Sequence, residues 1–248
     1  MTPRLSDVPV ALVFFTRLPM PAFISDRKLG EVIWAAPLAG LVVALLGAIV
    51  FALVDALDVP TLPAAAITLA AMMLLTGCLH EDGLADVADG FGGGKTIERK
   101  LEIMHDSRLG TYGAVALMMS VLIRWSALAT LASHGAVLAG LIAAHVASRA
   151  IFARLIRDTQ LATHSGLAAT VGPVPAIGAA ASLAIGIAGL LFLGVFGALV
   201  TALAVGVVTL AFRQLCLRQI GGITGDTLGA SQQFAEMTIL VAAAAVFS

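Results

Sequence analysis

The chain has 248 residues, 60% of them hydrophobic and only 12% charged, with a mean hydropathy of +1.02. Soluble domains carry about 45–50% apolar residues, so this is the composition of a polytopic membrane protein. A net charge of −1 leaves no basic surface for a phosphate backbone and excludes a nucleic-acid binder. The two cysteines, Cys78 and Cys216, have no metal-ligand spacing and are too far apart for a disulfide framework.

In chain order, residues 1–31 read as a cytoplasmic or interfacial segment. Ser6 is placed to cap a short helix over the apolar run 8–15, which is too short to cross a bilayer. Arg17, Pro19 and Pro21 follow where a signal peptide would carry small residues, so no cleavage is expected. Apolar runs at 32–54, 64–79, 113–131, 136–156, 176–212 and 234–247, the first without a charge, predict an all-α membrane bundle. Residues 176–212 suffice for two crossings with a turn near 194–197, giving about seven transmembrane helices, or six if they cross once. Residues 1–248 read as one membrane-embedded catalytic domain. Arg4, Arg17, Arg27, Lys28, Lys95, Arg99, Lys100, Arg108, Arg154, Arg157, Arg213 and Arg218 all fall in loops or at run ends of one side, which the positive-inside rule makes cytoplasmic.

Between the second and third runs, residues 80–113 read HEDGLADVADGFGGGKTIERKLEIMHDSRLGTYG. Glu81, Asp82, Asp86, Asp89, Glu98, Glu102 and Asp106 crowd into this acidic active-site loop, 80–112. If helical, spacings of four and three residues set Asp82, Asp86 and Asp89 within about 60° on one face. Such carboxylates repel unless a cation neutralises them, and oxygen-only donors select hard ions such as Mg²⁺. We therefore read a divalent-metal face, against the plainer alternative of a solvated loop. Gly90, Gly92, Gly93 and Gly94 predict a flexible loop whose amides approach an anion, and a metal beside such a loop points to phosphoryl-group chemistry. Arg108, beside Asp106, is placed to grip a phosphate bidentately, whereas Glu98, Arg99 and Lys100 read as helix-surface salt bridges. In GGITGDTLGA, residues 221–230, the lone Asp226 is placed to add a ligand or hold a substrate hydroxyl.

Arg124 and Arg149 fall inside the third and fourth runs, where an unpaired guanidinium costs several kcal/mol. Each is read as facing an aqueous or anionic cavity, with interhelical pairing as the structural alternative. His145 shares the Arg149 face, His164 reads as a surface histidine, and Trp34 and Tyr112 fit interfacial anchors.

Four motifs carry a resemblance: FFTRLPMP at 14–21, TGCLHEDGLADVADGFGGG at 76–94, LEIMHDSRLGTYG at 101–113 and GGITGDTLGA at 221–230. In order and over nearly the whole chain, they resemble the cobalamin synthase family, adenosylcobinamide-GDP ribazoletransferase. The chain departs from its pattern at Cys78, where a glycine is usual, and at Glu81, where an apolar residue is usual. The resemblance implies a multi-pass, Mg²⁺-dependent enzyme of the inner membrane, its active site cytoplasmic, joining adenosylcobinamide-GDP to α-ribazole or its 5′-phosphate with release of GMP. On this reading Asp82, Asp86 and Asp89 hold Mg²⁺, and Asp89 or Asp106 takes the nucleophile's proton. Arg108 assists, and His80, Gly92, Gly93, Arg124, Arg149 and Asp226 contact substrate. The lipid bilayer is the surrounding partner, and a homo-oligomer or a complex with other enzymes of the pathway is compatible. DGLADVADG also resembles the aspartate-rich motif of CDP-alcohol phosphotransferases, with Asp86 replacing their Arg, so a phospholipid synthase is the second reading. A divalent-cation transporter is the third, disfavoured because the acids gather at one rim.

Overall fold

In the computed structural model, which describes residues 2–20, 26–131, 133–163 and 171–247, the chain is all-helical. His164 lies outside the described residues. Helix α1 covers Asp7–Phe15. A turn at Leu29–Val32 and a 3₁₀ turn at Ile33–Ala35 lead into α2, Ala36–Asp55. There follow α3 (Thr61–Thr76), α4 (Leu79–Gly93), α5 (Ile97–Met104), α6 (Thr111–Ala129), α7 (His134–Asp158), α8 (Ala176–Leu190), α9 (Gly194–Ile220) and α10 (Gly225–Phe247). Hydrocarbon imposes this choice, because a lipid-embedded segment must satisfy every N–H and C=O internally. Five stretches are long and apolar enough to cross a membrane, six if α3 and α4 form one broken span. The chain is a helical membrane protein, as its composition requires.

Helix α7 is the axis of the bundle. Of its apolar window 89% is buried, against 28% for the α8–α9 stretch, so α7 is enclosed while α8 and α9 form a lipid-facing flank. Val195, Phe196, Leu199, Leu203 and Val207 are exposed along α9, where lipid is the solvent. Small residues allow the close approach to α7: a Cβ on Gly189 would lie 2.9 Å from Val146 Cβ, and one on Gly40 would strike the His145 carbonyl. Ser133 caps α7 by accepting from Ala136 N at 3.1 Å.

The 176–220 stretch folds back on itself. Arg157 Nη1 donates to Val174 O at 3.0 Å just before α8, and Gly189 packs on Val146, so α8 runs antiparallel to α7. After Leu191–Leu193 and a left-handed Gly194 (φ +74°), α9 returns until Arg213 Nε donates to Thr159 Oγ1 at 2.8 Å. The hairpin turn falls where the sequence placed it.

The second apolar run behaves otherwise than expected. It stops at Thr76, and Gly77 (φ 64°) and Cys78 (φ 56°) are both left-handed, turning the axis by 87° into α4. A non-glycine residue in that conformation costs roughly 1–2 kcal/mol, which explains why a glycine suits position 78. Arg17 braces the break, its N–H donating to Leu75 O at 2.7 Å.

The N-terminal readings also need correction. Ser6 makes no capping bond. Asp7 instead accepts from Arg4 N at 3.0 Å, Arg27 Nη1 at 2.6 Å and Trp34 Nε1 at 2.7 Å. Trp34 is therefore buried, tying α1 to the start of α2, whereas Tyr112 is exposed as an anchor requires.

Candidate active site

Helix α4 presents a different neighbour on each face. Asp82 and Asp86, one turn apart, line an open cleft of about 490 Å³ together with Cys78, Met104, His105, Asp106 and Arg108. On another face Gly83 and Gly229 let α4 and α10 touch, so close that a Cβ on Gly83 would lie 2.7 Å from Asp226 O. That contact brings Asp226 to the α4 acids. Burial, and then the charges of Asp82, Asp226 and Asp89, push Asp86 up to about 7, far above the usual carboxylate range. The shift reflects how closely burial and like charge crowd these carboxylates. Among the described residues no three His, Cys, Asp or Glu side chains already surround a common metal position. The donor set available is a pair of carboxylates, which suits Mg²⁺, an ion held by one or two carboxylates together with waters and phosphate oxygens.

Asp89 has other work. Its Oδ2 accepts from Gly110 N at 2.7 Å and its Oδ1 from Gly113 N at 2.9 Å, so it closes the N-terminus of α6 from across the fold. The geometry gives it this duty in place of the expected ligand or base. The glycine run is corrected as well, since Gly90, Gly92 and Gly93 end helix α4 instead of forming a loop, and their amides are spent within it. A Cβ on Gly92 would lie 2.6 Å from the Tyr112 ring and one on Gly90 2.5 Å from Met104 Cγ. They are packing glycines that let α5 and α6 fold back over α4. At the cleft mouth Asp106 and Arg108 pair, Nε to Oδ1 at 3.1 Å, and Arg108 holds the Asp106 carboxyl down at about 2. Arg99 pairs with Glu102 on the surface of α5, as the spacing suggested.

The intramembrane charges turn inward. Arg124 Nη1 donates to Glu81 Oε1 at 2.8 Å and to Glu236 Oε1 at 3.1 Å, with the guanidinium enclosed by the bundle. Arg149 Nη1 donates to His145 Nδ1 and to His145 O, both at 3.1 Å. Because a guanidinium only donates, His145 Nδ1 accepts, and its proton sits on Nε2 beside Met72 Sδ at 3.2 Å. The 3.4 Å approach of His145 to Glu236 is thus a contact and not an ion pair. Gln232, Gln233, Ser120 and Ser148 complete the network. Arg124 and Arg149 turn into the bundle, where with Glu81, His145 and Glu236 they line a small inner cavity, and neither lines the cleft.

Sequence reasoning missed Glu236, whose signal was a single acid inside the last apolar run, and His105, which lines the cleft. A second pocket, of about 220 Å³, lies on the far side of Asp82 beneath α1 and includes His80 and Asp226.

Acids gathered on a rim helix beside a cleft, with Arg124 and Arg149 hydrogen-bonded inside the bundle, fit a membrane-embedded enzyme. A family model described as cobalamin-5-phosphate synthase matches residues 7–244. An adenosylcobinamide-GDP ribazoletransferase of Mesorhizobium japonicum is 49% identical over 251 residues, covering 100% of this chain and 97% of that protein. Another, of Bradyrhizobium diazoefficiens, is 45% identical over 246 residues, 97% and 94% of the two chains. A third, of Shewanella baltica, is 45% identical over 245 residues, 92% and 89%. No solved structure matches. The chain belongs to the cobalamin-5-phosphate synthase family and is a transferase of cobalamin biosynthesis.

Proposed function

We propose that this chain joins adenosylcobinamide-GDP to α-ribazole or its 5′-phosphate and releases GMP, with Mg²⁺ as cofactor, at the cytoplasmic face of the inner membrane. The observation that carries the site is the open cleft lined by Asp82 and Asp86, with Asp226 of α10 brought against α4 at Gly83. Asp82 and Asp86 would hold Mg²⁺, which would supply positive charge to offset that of the diphosphate and of the leaving GMP. Arg108, whose side chain is 86% exposed, swings from Asp106 to a phosphate oxygen of the donor. Asp226 accepts the proton of the acceptor's ribose hydroxyl as that oxygen bonds to the phosphorus of the cobinamide phosphate. The bond from that phosphorus to the bridging oxygen breaks, and the electron pair leaves on GMP. The bend at Gly77–Cys78 makes α4 a rim helix, so that α2, α3, α6, α7, α8, α9 and α10 make seven crossings. The test is GMP release from adenosylcobinamide-GDP and α-ribazole by membranes containing the protein. Inserted Asp82→Asn and Asp86→Asn should each lose turnover, and near-normal rates at low Mg²⁺ would remove both residues from the site.

A further inference from the structure

In-line displacement requires nucleophile and leaving group on opposite sides of the phosphorus. Two cavities meet at Asp82 and share no other lining residue: the open acidic cleft, and the pocket beneath α1. The walls of the second are aromatic. Phe15 stacks on Phe152 with ring centres 5.6 Å apart and planes within 10°, Phe14 packs edge-on to Phe15 at 4.8 Å, and the His80 ring touches Phe15 and Phe152 at 5.9 and 5.6 Å. At its floor His80 is 3% exposed, and among the described residues its Nε2 has no hydrogen-bond partner. A desolvated polar atom of that kind is costly until a ligand reaches it. Aromatic walls and an unpartnered imidazole nitrogen suit a planar heteroaromatic ring that carries a nitrogen of its own. Asp226 lines the same pocket.

Resting on the transferase reading above, we propose that this pocket is the acceptor site. The nucleoside's base packs against Phe14, Phe15 and Phe152 with a ring nitrogen hydrogen-bonded to His80 Nε2, and its ribose hydroxyl lies between Asp226 and Asp82, opposite the diphosphate in the open cleft. His80 is thereby a specificity residue for the base, and α1 is the roof of the acceptor site.

The experiment measures initial rates of GMP release by inserted wild type, Phe14→Ala and His80→Asn, varying α-ribazole and adenosylcobinamide-GDP separately. Loss of a stacking or hydrogen-bonding partner should raise the acceptor KM about tenfold in each variant, leaving the donor KM unchanged. A raised donor KM with the acceptor KM unchanged would place the donor there and overturn the assignment. A fall in kcat alone would overturn it too. Phe14 is partly exposed at the pocket mouth, so its variant keeps the test decisive if His80→Asn does not assemble. Absence of GMP release by wild type would refute the transferase reading itself, whereas wild-type turnover with unaltered acceptor KM in Phe14→Ala refutes the pocket alone.

Discussion

Asp89→Asn keeps the shape of the side chain but removes its charge and one of its two acceptor oxygens. In the native fold each oxygen takes one amide, from Gly110 and from Gly113. The asparagine must aim its own NH₂ at one of them. One hydrogen bond to a charged group, about 1.5–3 kcal/mol, is lost along with an anion at a helix N-terminus, about 0.3–1 kcal/mol. The sum is about 2–4 kcal/mol. For a chain of this size each kcal/mol moves Tm by roughly 2–4 °C, so thermal unfolding in detergent should fall by roughly 4–16 °C. The Mg²⁺ dependence of GMP release, measured below the lowered Tm, should remain that of wild type. An unchanged Tm combined with lost Mg²⁺ activation would refute the reasoning and return Asp89 to the metal.

Asp86 gives a pH signature. Its folded pKa, about 7, is raised above the unfolded value, so its stabilising contribution is full below about pH 4 and lost as pH rises through 7. Metal-free protein should therefore melt lower at pH 8 than at pH 5.5 and recover with Mg²⁺; a Tm indifferent to both would sink the cluster. In Arg124→Lys one ammonium must serve Glu81 and Glu236 together, which should cost roughly 1–3 kcal/mol of stability with both KM values intact. Altered KM at unchanged stability would make Arg124 a substrate residue. Single cysteines at Gly93, Asp158 and Arg218 should react from the cytoplasmic side and one at Thr61 from the opposite side. Labelling at Arg218 together with Thr61 would mean that the α8–α9 stretch crosses once.

The apolar runs were legible because hydrocarbon enforces one solution on them, and the turn near 194–197 was legible as one of the two readings that the length of 176–212 allows. The helical face of α4 followed from its spacing. Position 78 was harder to read, since no local pattern announces a left-handed cysteine, and the break there separates α3 from the acids. The glycines after Asp89 looked like a loop because composition cannot distinguish a glycine that gives flexibility from one that gives room; only the Tyr112 ring over Gly92 decides it. The structural partners of Arg124 and Asp89 were not legible for one reason: Glu236 in one case and the amides of Gly110 and Gly113 in the other are distant in sequence. A charge seen without its partner reads as a binding site.

Helix α10 gives the protein a schedule. It alone carries Glu236, which faces Arg124, and Asp226, which completes the acids beside Asp86. Ribosomal synthesis delivers α6 and α7, with Arg124 and Arg149, well before it. Until α10 arrives the nascent bundle holds two guanidiniums with, among the described residues, Glu81 as the one acid of their network, and the acids of α4 lack Asp226. On the proposed mechanism competence is acquired in a single late event, and a chain cut short before residue 225 is expected to insert without releasing GMP.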